Sequence, residues 1–151
     1  MIEREVDFSE LRTVVQKLRG LKAWGSKAGG CTGSIFTLQF GKMLADTPQW
    51  GDYSIMVSCA WRITKETDVL CTWHENPDAV LVPSLELLHG GEVRAAILSE
   101  WGDLRLELDN GFGLHVFADL PEKSDVNWFI GVSKKFYYSW STNFTLVLEE
   151  H

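Results

Sequence analysis

Three cysteines, four histidines and a scatter of carboxylates are the groups in this 151-residue chain that could ligate a metal, attack a substrate or move a proton. The densest of them lie in Cys71-Thr72-Trp73-His74-Glu75. Cys71 and His74 are three residues apart at what reads as a strand end, so their side chains point to opposite faces unless the chain turns there. Cys59 and Cys71 are expected to be buried structural thiols, with no metal site. Nucleophilic catalysis needs a thiol or hydroxyl beside a histidine that an acid orients. Cys31 sits among glycines with His74, His89 and His115 elsewhere in the chain, and no Gly-x-Ser-x-Gly elbow is present. The stretch from Gly25 to Ser34 has the glycines of a phosphate cradle, but Cys31 follows Gly30 where a P-loop needs lysine. It reads instead as a flexible connection. Glu107 and Asp109 share one side of a strand, opposite Leu106 and Leu108, which makes a hydrated face, with Asp109 shaping the turn through its own backbone. No catalytic residue, metal or cofactor is expected.

Binding is better served by the composition. Seven tryptophans and eight phenylalanines suit pleated sheets and can anchor interfaces. Trp61 belongs to a long apolar alternation and is assigned to the core, while Arg62 points the opposite way. Trp50, Trp101 and Trp140 lie near turns, where partial exposure is expected. The net charge of −7 is uneven: +2 over residues 1–50, −5 over 51–100 and −4 over 101–151. Two acidic thirds exclude broad contact with a phosphate backbone, which needs a basic footprint. They suit a cationic protein partner. Glu75, Asp78, Glu86, Glu92 and Glu100 fall in the most acidic third, and with Trp101 as an aromatic anchor they form the candidate partner-binding set. The alternative is a small-molecule-binding, β-barrel-like domain with Met56, Ala60, Arg62, Trp73 and Trp128 near the ligand.

The elements that would carry these residues are mostly strands. Leu104, Leu106 and Leu108 alternate with polar residues, Asp109-Asn110-Gly111 can take a turn with positive φ, and Phe112 to Phe117 resumes the apolar run, which together predict a hairpin. Tyr53, Ile55, Val57, Cys59, Trp61 and Ile63 face one way over the longest alternation in the chain. Further strands are expected at Ser34–Phe40, Val69–Trp73, Glu92–Leu98, Val126–Ile130, Lys135–Trp140 and Asn143–Leu148. Asp7 and Glu10 form a capping box for a helix with Phe8, Leu11, Val14, Val15 and Leu18 on one face, ended by Gly20. Pro83 to His89 reads as a short helix closed by Gly90-Gly91. The fold class is therefore α+β: about eight or nine mainly antiparallel strands, a sandwich or half-barrel, with one N-terminal and one short helix. No linker divides residues 1–151, so one domain is expected. Ser34–Ile63 and Asp103–Ile130 share a pattern of strands, turn and tryptophan, without the residue similarity that would establish a duplication.

The N-terminus is charged and lacks the apolar stretch of a secretory signal, the cysteine number is odd, and no run approaches the length of a membrane span. A cytoplasmic protein with free thiols and no membrane contact is expected, and an uncovered β edge would permit a homodimer. Finally, Gly33-Ser34-Ile35-Phe36-Thr37-Leu38-Gln39-Phe40-Gly41-Lys42, then Gly51 to Ile55, Cys59-Ala60-Trp61-Arg62-Ile63, and Asp103 to Phe117 with Trp128-Phe129-Ile130, carry a resemblance. Over residues 33–130 the chain resembles small bacterial proteins related to the immunity proteins that accompany polymorphic toxins. The resemblance implies an α+β domain without catalysis that binds and occludes a toxin domain. Its motifs are turns and core positions, so it carries no residue roles with it.

Overall fold

The structure, a computed structural model, describes residues 2–141 and 144–149. The Ser141-Thr142 connection and the Asn143 start of the last strand lie partly outside them. Two antiparallel sheets enclose one continuous apolar core. The seven-stranded sheet runs β1 (Ile2–Glu5), β12 (Phe144–Glu149), β11 (Phe136–Ser141), β10 (Trp128–Val132), β4 (Gly51–Val57), β3 (Phe36–Met43), β2 (Ala23–Lys27). The five-stranded sheet runs β6 (Asp68–Thr72), β5 (Ala60–Lys65), β9 (Phe112–Phe117), β8 (Leu104–Leu108), β7 (Val93–Leu98). The fold class is the α+β expected, with more strands than eight or nine. Ile2–Glu5 and Ala23–Lys27 are additional strands, so part of the glycine-rich connection is sheet. The long alternation from Tyr53 to Ile63 is two strands, parted at Ser58-Cys59 and paired into different sheets.

Helix α1 (Phe8–Gln16) begins where Asp7 accepts a hydrogen bond from the Glu10 backbone N–H at 2.8 Å, and it buries Leu11 and Val15. The cap satisfies one of the amides that a helix start leaves without a partner. Asp7→Ala is expected to lower stability by about 1 kcal/mol, read as a shift of the urea midpoint at constant slope; an unchanged midpoint would contradict the capping role. A π-helical turn at Pro77–Leu81 leads into the short helix α2 (Val82–Glu86). Among the described residues no helix is long and apolar enough to cross a membrane.

The two halves of the chain are built alike and exchange strands. β2, β3 and β4 lie side by side, after which the chain crosses to give β5 and β6 to the other sheet. β7, β8 and β9 lie side by side, and the chain then crosses back to give β10 and β11. The hydrogen bonds are reciprocal. Gly20 N–H donates to the Val93 carbonyl and Gly90 N–H to the Ala23 carbonyl, while Ala23 donates to Gly91 and Val93 to Leu21. The backbones of Lys22 and Glu92 pair there as an isolated antiparallel β-bridge between the halves. Trp61 Nε1–H donates to the Ser34 carbonyl at 2.8 Å, and Trp128 Nε1–H to the Gly102 carbonyl at 2.7 Å. Each acceptor lies two residues before an inner strand, β3 or β8. Each tryptophan opens a strand that has just crossed between sheets, and both are fully buried. The stretches that share a pattern in the sequence thus occupy equivalent places, and α1 against β7 matches α2 against β2.

This topology gives the sandwich two chemically distinct ends. Both crossovers, Ser58-Cys59 and 118–127, meet at one end, where Ser58 N–H bonds the Asn127 carbonyl and Ala60 N–H bonds Asp119. The 28–34, 73–78 and 99–103 loops lie at the same end, because β2, β6 and β7 all run toward it.

Candidate functional site

The structure divides the candidate acidic set. β7 starts after Glu92 and ends before Glu100, and six residues of extended chain span about 20 Å, so these two carboxylates lie at opposite ends of the sandwich. Glu75, Asp78, Glu100 and Trp101 share the crossover end. Glu86 and Glu92 do not, for α2 runs away from that end toward Gly90. Several of these acids also hold local structure. Glu75 accepts the Thr72 N–H at 3.1 Å, Asp78 accepts the Gly30 N–H at 3.0 Å, and Glu92 lies 3.5 Å from Arg94. Among the described residues Glu100 and Trp101 hold nothing of this kind through their side chains: both stand out at the tip of the β7–β8 turn, with Trp101 78% exposed. Asp119, Glu122 and Asp125 of the second crossover are exposed at the same end. They went unmarked in the sequence because only the fold brings the 118–127 loop beside Glu100.

The alternative ligand set does not converge. Trp128 is sealed in the core and Met56 lies on the outward face of the seven-stranded sheet. Ala60 and Arg62 lie on the outward face of the five-stranded sheet, with Trp73 at its rim. The strand split at Ser58-Cys59 is what separates Met56 from Ala60 and Arg62. The space between the sheets is filled by Trp61, Trp128, Phe36, Phe40 and the leucines. Hollows of about 220, 290 and 310 Å³ among the described residues lie on the surface instead. Trp140 also departs from expectation, buried against Gly102 rather than exposed at its turn.

Two of the three thiols, Cys59 and Cys71, are buried. Burial pushes the Cys59 thiol up to about 12, with Asp119 adding to the effect, and the Cys71 thiol up to about 11. A thiol so raised is not a thiolate near neutrality. Cys31 is exposed, and among the described residues no His, Cys, Asp and Glu side chains gather into a metal-binding group. Ser26 and His89 do form a close pair: Nε2 lies 2.7 Å from Oγ and also accepts the Ser26 backbone N–H at 3.0 Å. An imidazole nitrogen accepting both bonds is unprotonated, in keeping with the downward shift that burial gives His89. The pair ties the end of α2 to β2, as Gln16 bonding the Ala96 carbonyl ties α1 to β7. Asp109 likewise works away from its own turn. It accepts from Glu92 N–H, and Asn110 is the residue that bonds the turn backbone, at Phe112 N–H.

Sequence reasoning missed a cationic row on the outward face of the five-stranded sheet. Arg62 stands opposite His115, and His115 opposite Arg105. Each residue could be read as outward from its own strand, but their alignment depends on register between strands. Compared with known proteins, the chain matches no family model and shows no significant similarity to a curated protein or a solved structure.

Proposed function

We propose that the chain is a non-catalytic binding protein that engages a cationic protein through the crossover end of its sandwich. The observation that supports this reading is the difference in charge between the two ends. Glu75, Glu100, Asp119, Glu122 and Asp125 stand exposed at the crossover end, with Lys123 among them and Lys27 at the end of β2 as basic residues. At the far end Arg19, Lys22, Lys42, Lys65, Arg94, Lys134 and Lys135 are interspersed with Asp46, Asp52, Glu66, Asp68, Glu92 and Asp109. A field of one sign steers and orients a partner of the other. Trp101 adds a rigid aromatic of the type that carries binding energy at interface centres. Trp73 stands at the same end, its ring centre 4.0 Å from that of His74 and tilted 30° to it.

The partner we favour is a bacterial toxin domain, inhibited by occlusion in the manner of an immunity protein. A toxin that acts on nucleic acid needs a basic cleft, and an acidic set of loops around an aromatic anchor is the surface that fills one. The protein would act in a reducing cytoplasm, where Cys31, Cys59 and Cys71 stay as free thiols. The test begins with the protein encoded by the adjoining reading frame, expressed alone and together with this chain. Growth arrest by that protein, relieved by the wild-type chain, is the expected result. Trp101→Ala combined with Glu100→Lys and Glu122→Lys is expected to weaken binding by about 2 kcal/mol or more, roughly thirtyfold, and to abolish relief. Full relief by the triple variant, or a neighbouring protein without toxicity or affinity for this chain, would sink the proposal.

A further inference from the structure

The cationic row lies away from the crossover loops and has no part in the reading above. Arg62, His115 and Arg105 sit side by side on β5, β9 and β8. All three point away from the core, because Trp61, Ile63, Leu114, Val116, Leu104 and Leu106 beside them are buried. Directly opposed residues of antiparallel strands have Cβ atoms about 5 Å apart, so a protonated His115 meets a like charge on either side. Arg105 has a carboxylate, Glu107, at 2.6 Å. Arg62 has none at ion-pair distance among the described residues. Its guanidinium lies 5.1 Å from the centre of the Phe117 ring, and its buried Nε makes no hydrogen bond among those residues. An orphaned buried donor is unfavourable, so local stability does not account for this arrangement in a chain of net charge −7.

Beside the row lies the hollow of about 220 Å³, walled by Thr64, Glu66, Arg105, Glu107 and His115. Gly113 is its floor, where an added Cβ would come within 2.8 Å of Thr64 Oγ1. The other half of the molecule supplies a comparison. The positions equivalent to Arg62, His115 and Arg105 are Phe129, Met56 and Thr37, a row with no charge at all. The same scaffold thus carries the cationic row on one sheet only.

We propose that Arg62, His115 and Arg105 bind an oxyanion, phosphoryl or carboxylate, of a small metabolite whose remainder rests in the Gly113 hollow. Guanidinium groups give an oxyanion short charge-assisted hydrogen bonds, and a protonated imidazole adds another donor. The hollow is smaller than a drug-sized site, which limits the ligand to a few heavy atoms beyond the anion. His115 has its pKa held below the ordinary histidine value by burial first, then by Arg105 and Arg62, with Glu107 acting against them. Thr64 Oγ1, at 3.3 Å from Nε2, is the neutral group facing it from β5. An anion seated on the row offsets both arginines and raises that pKa. By linkage, affinity then rises as pH falls through the raised pKa of the complex and levels off below the pKa of the free protein.

The experiment titrates the full chain with inorganic phosphate and, separately, with acetate, at ionic strength held constant by chloride, following the His115 ring protons by NMR. Saturable binding with a raised His115 pKa is expected, and the tightening between about pH 7.5 and about pH 5.5 is read with acetate, which stays largely ionised there, because phosphate loses a charge over the same range. The anion giving the larger rise distinguishes phosphoryl from carboxylate. Arg62→Met and Arg105→Met are each expected to weaken binding about tenfold or more, with the backbone amide spectrum unchanged. The Arg105 side chain is half exposed, so its variant gives a result even if Arg62→Met fails to fold. A response no different from that to chloride, or one that survives in Arg105→Met, overturns the proposal.

Discussion

Trp128→Ala is expected to lower folding stability by about 3–5 kcal/mol, a large share of what holds an ordinary domain together. Trp128 is fully buried where the chain re-enters the seven-stranded sheet, and its indole N–H secures the Gly102 carbonyl before β8. Truncation opens a cavity between the sheets and strands that carbonyl at once. Trp61→Ala should fall in the same range, because Trp61 does the same work in the other half, against Phe36 at 4.8 Å and the Ser34 carbonyl. Phenylalanine at either position keeps most of the volume but loses the donor, which isolates a cost of about 1–3 kcal/mol for the buried carbonyl. Urea unfolding followed by circular dichroism measures all four variants. If one tryptophan tolerates truncation at under about 1 kcal/mol, below any large core truncation, the equivalence of the halves does not extend to their energetics.

Gly102→Ala should be of similar severity, for two reasons that a second glycine separates. Gly102 has φ +84° and Gly20 has φ +85°, so alanine meets the same left-handed backbone penalty at both, about 1–2 kcal/mol. An added Cβ at Gly20 meets nothing within 4 Å, whereas at Gly102 it would overlap the Trp140 indole. Trp140 is buried, and a core forced to accept extra volume loses about 1–3 kcal/mol more. The difference between the two variants in thermal or urea unfolding therefore reports the overlap alone. Equal destabilisation would mean that Trp140 moves aside freely and that its contact with Gly102 is not confining.

Much of this architecture was open to reading from residue order, and the exceptions have physical causes. The hairpin of Leu104, Leu106 and Leu108 with Asp109-Asn110-Gly111 stands where its alternation puts it, since local chemistry decides such turns. The passage of the chain from one sheet to the other at Ser58-Cys59 left no mark. Both sheets turn the same side of that segment toward one core, so Tyr53, Ile55, Val57, Cys59, Trp61 and Ile63 keep their alternation straight through the crossing. Ala23–Lys27 was hidden for a different reason: a strand with a glycine, a small polar residue and a register shift has little pattern of its own. The acidic residues of the crossover end come from loops far apart in the chain, and the Arg62–His115–Arg105 row depends on strand register. Both are products of pairing, which single-strand periodicity does not encode.

The exchange of strands between the halves also bears on how the molecule comes apart. β4 leans on β10 and β9 on β5, so each meander is seated on strands that the other half contributed. Peeling away either half strips hydrogen bonds from both sheets and opens the shared core to water. An intermediate with one layer intact is therefore expected to be unfavourable, and opening is expected to begin at an outer margin such as β6. Two similar half-chains share one core.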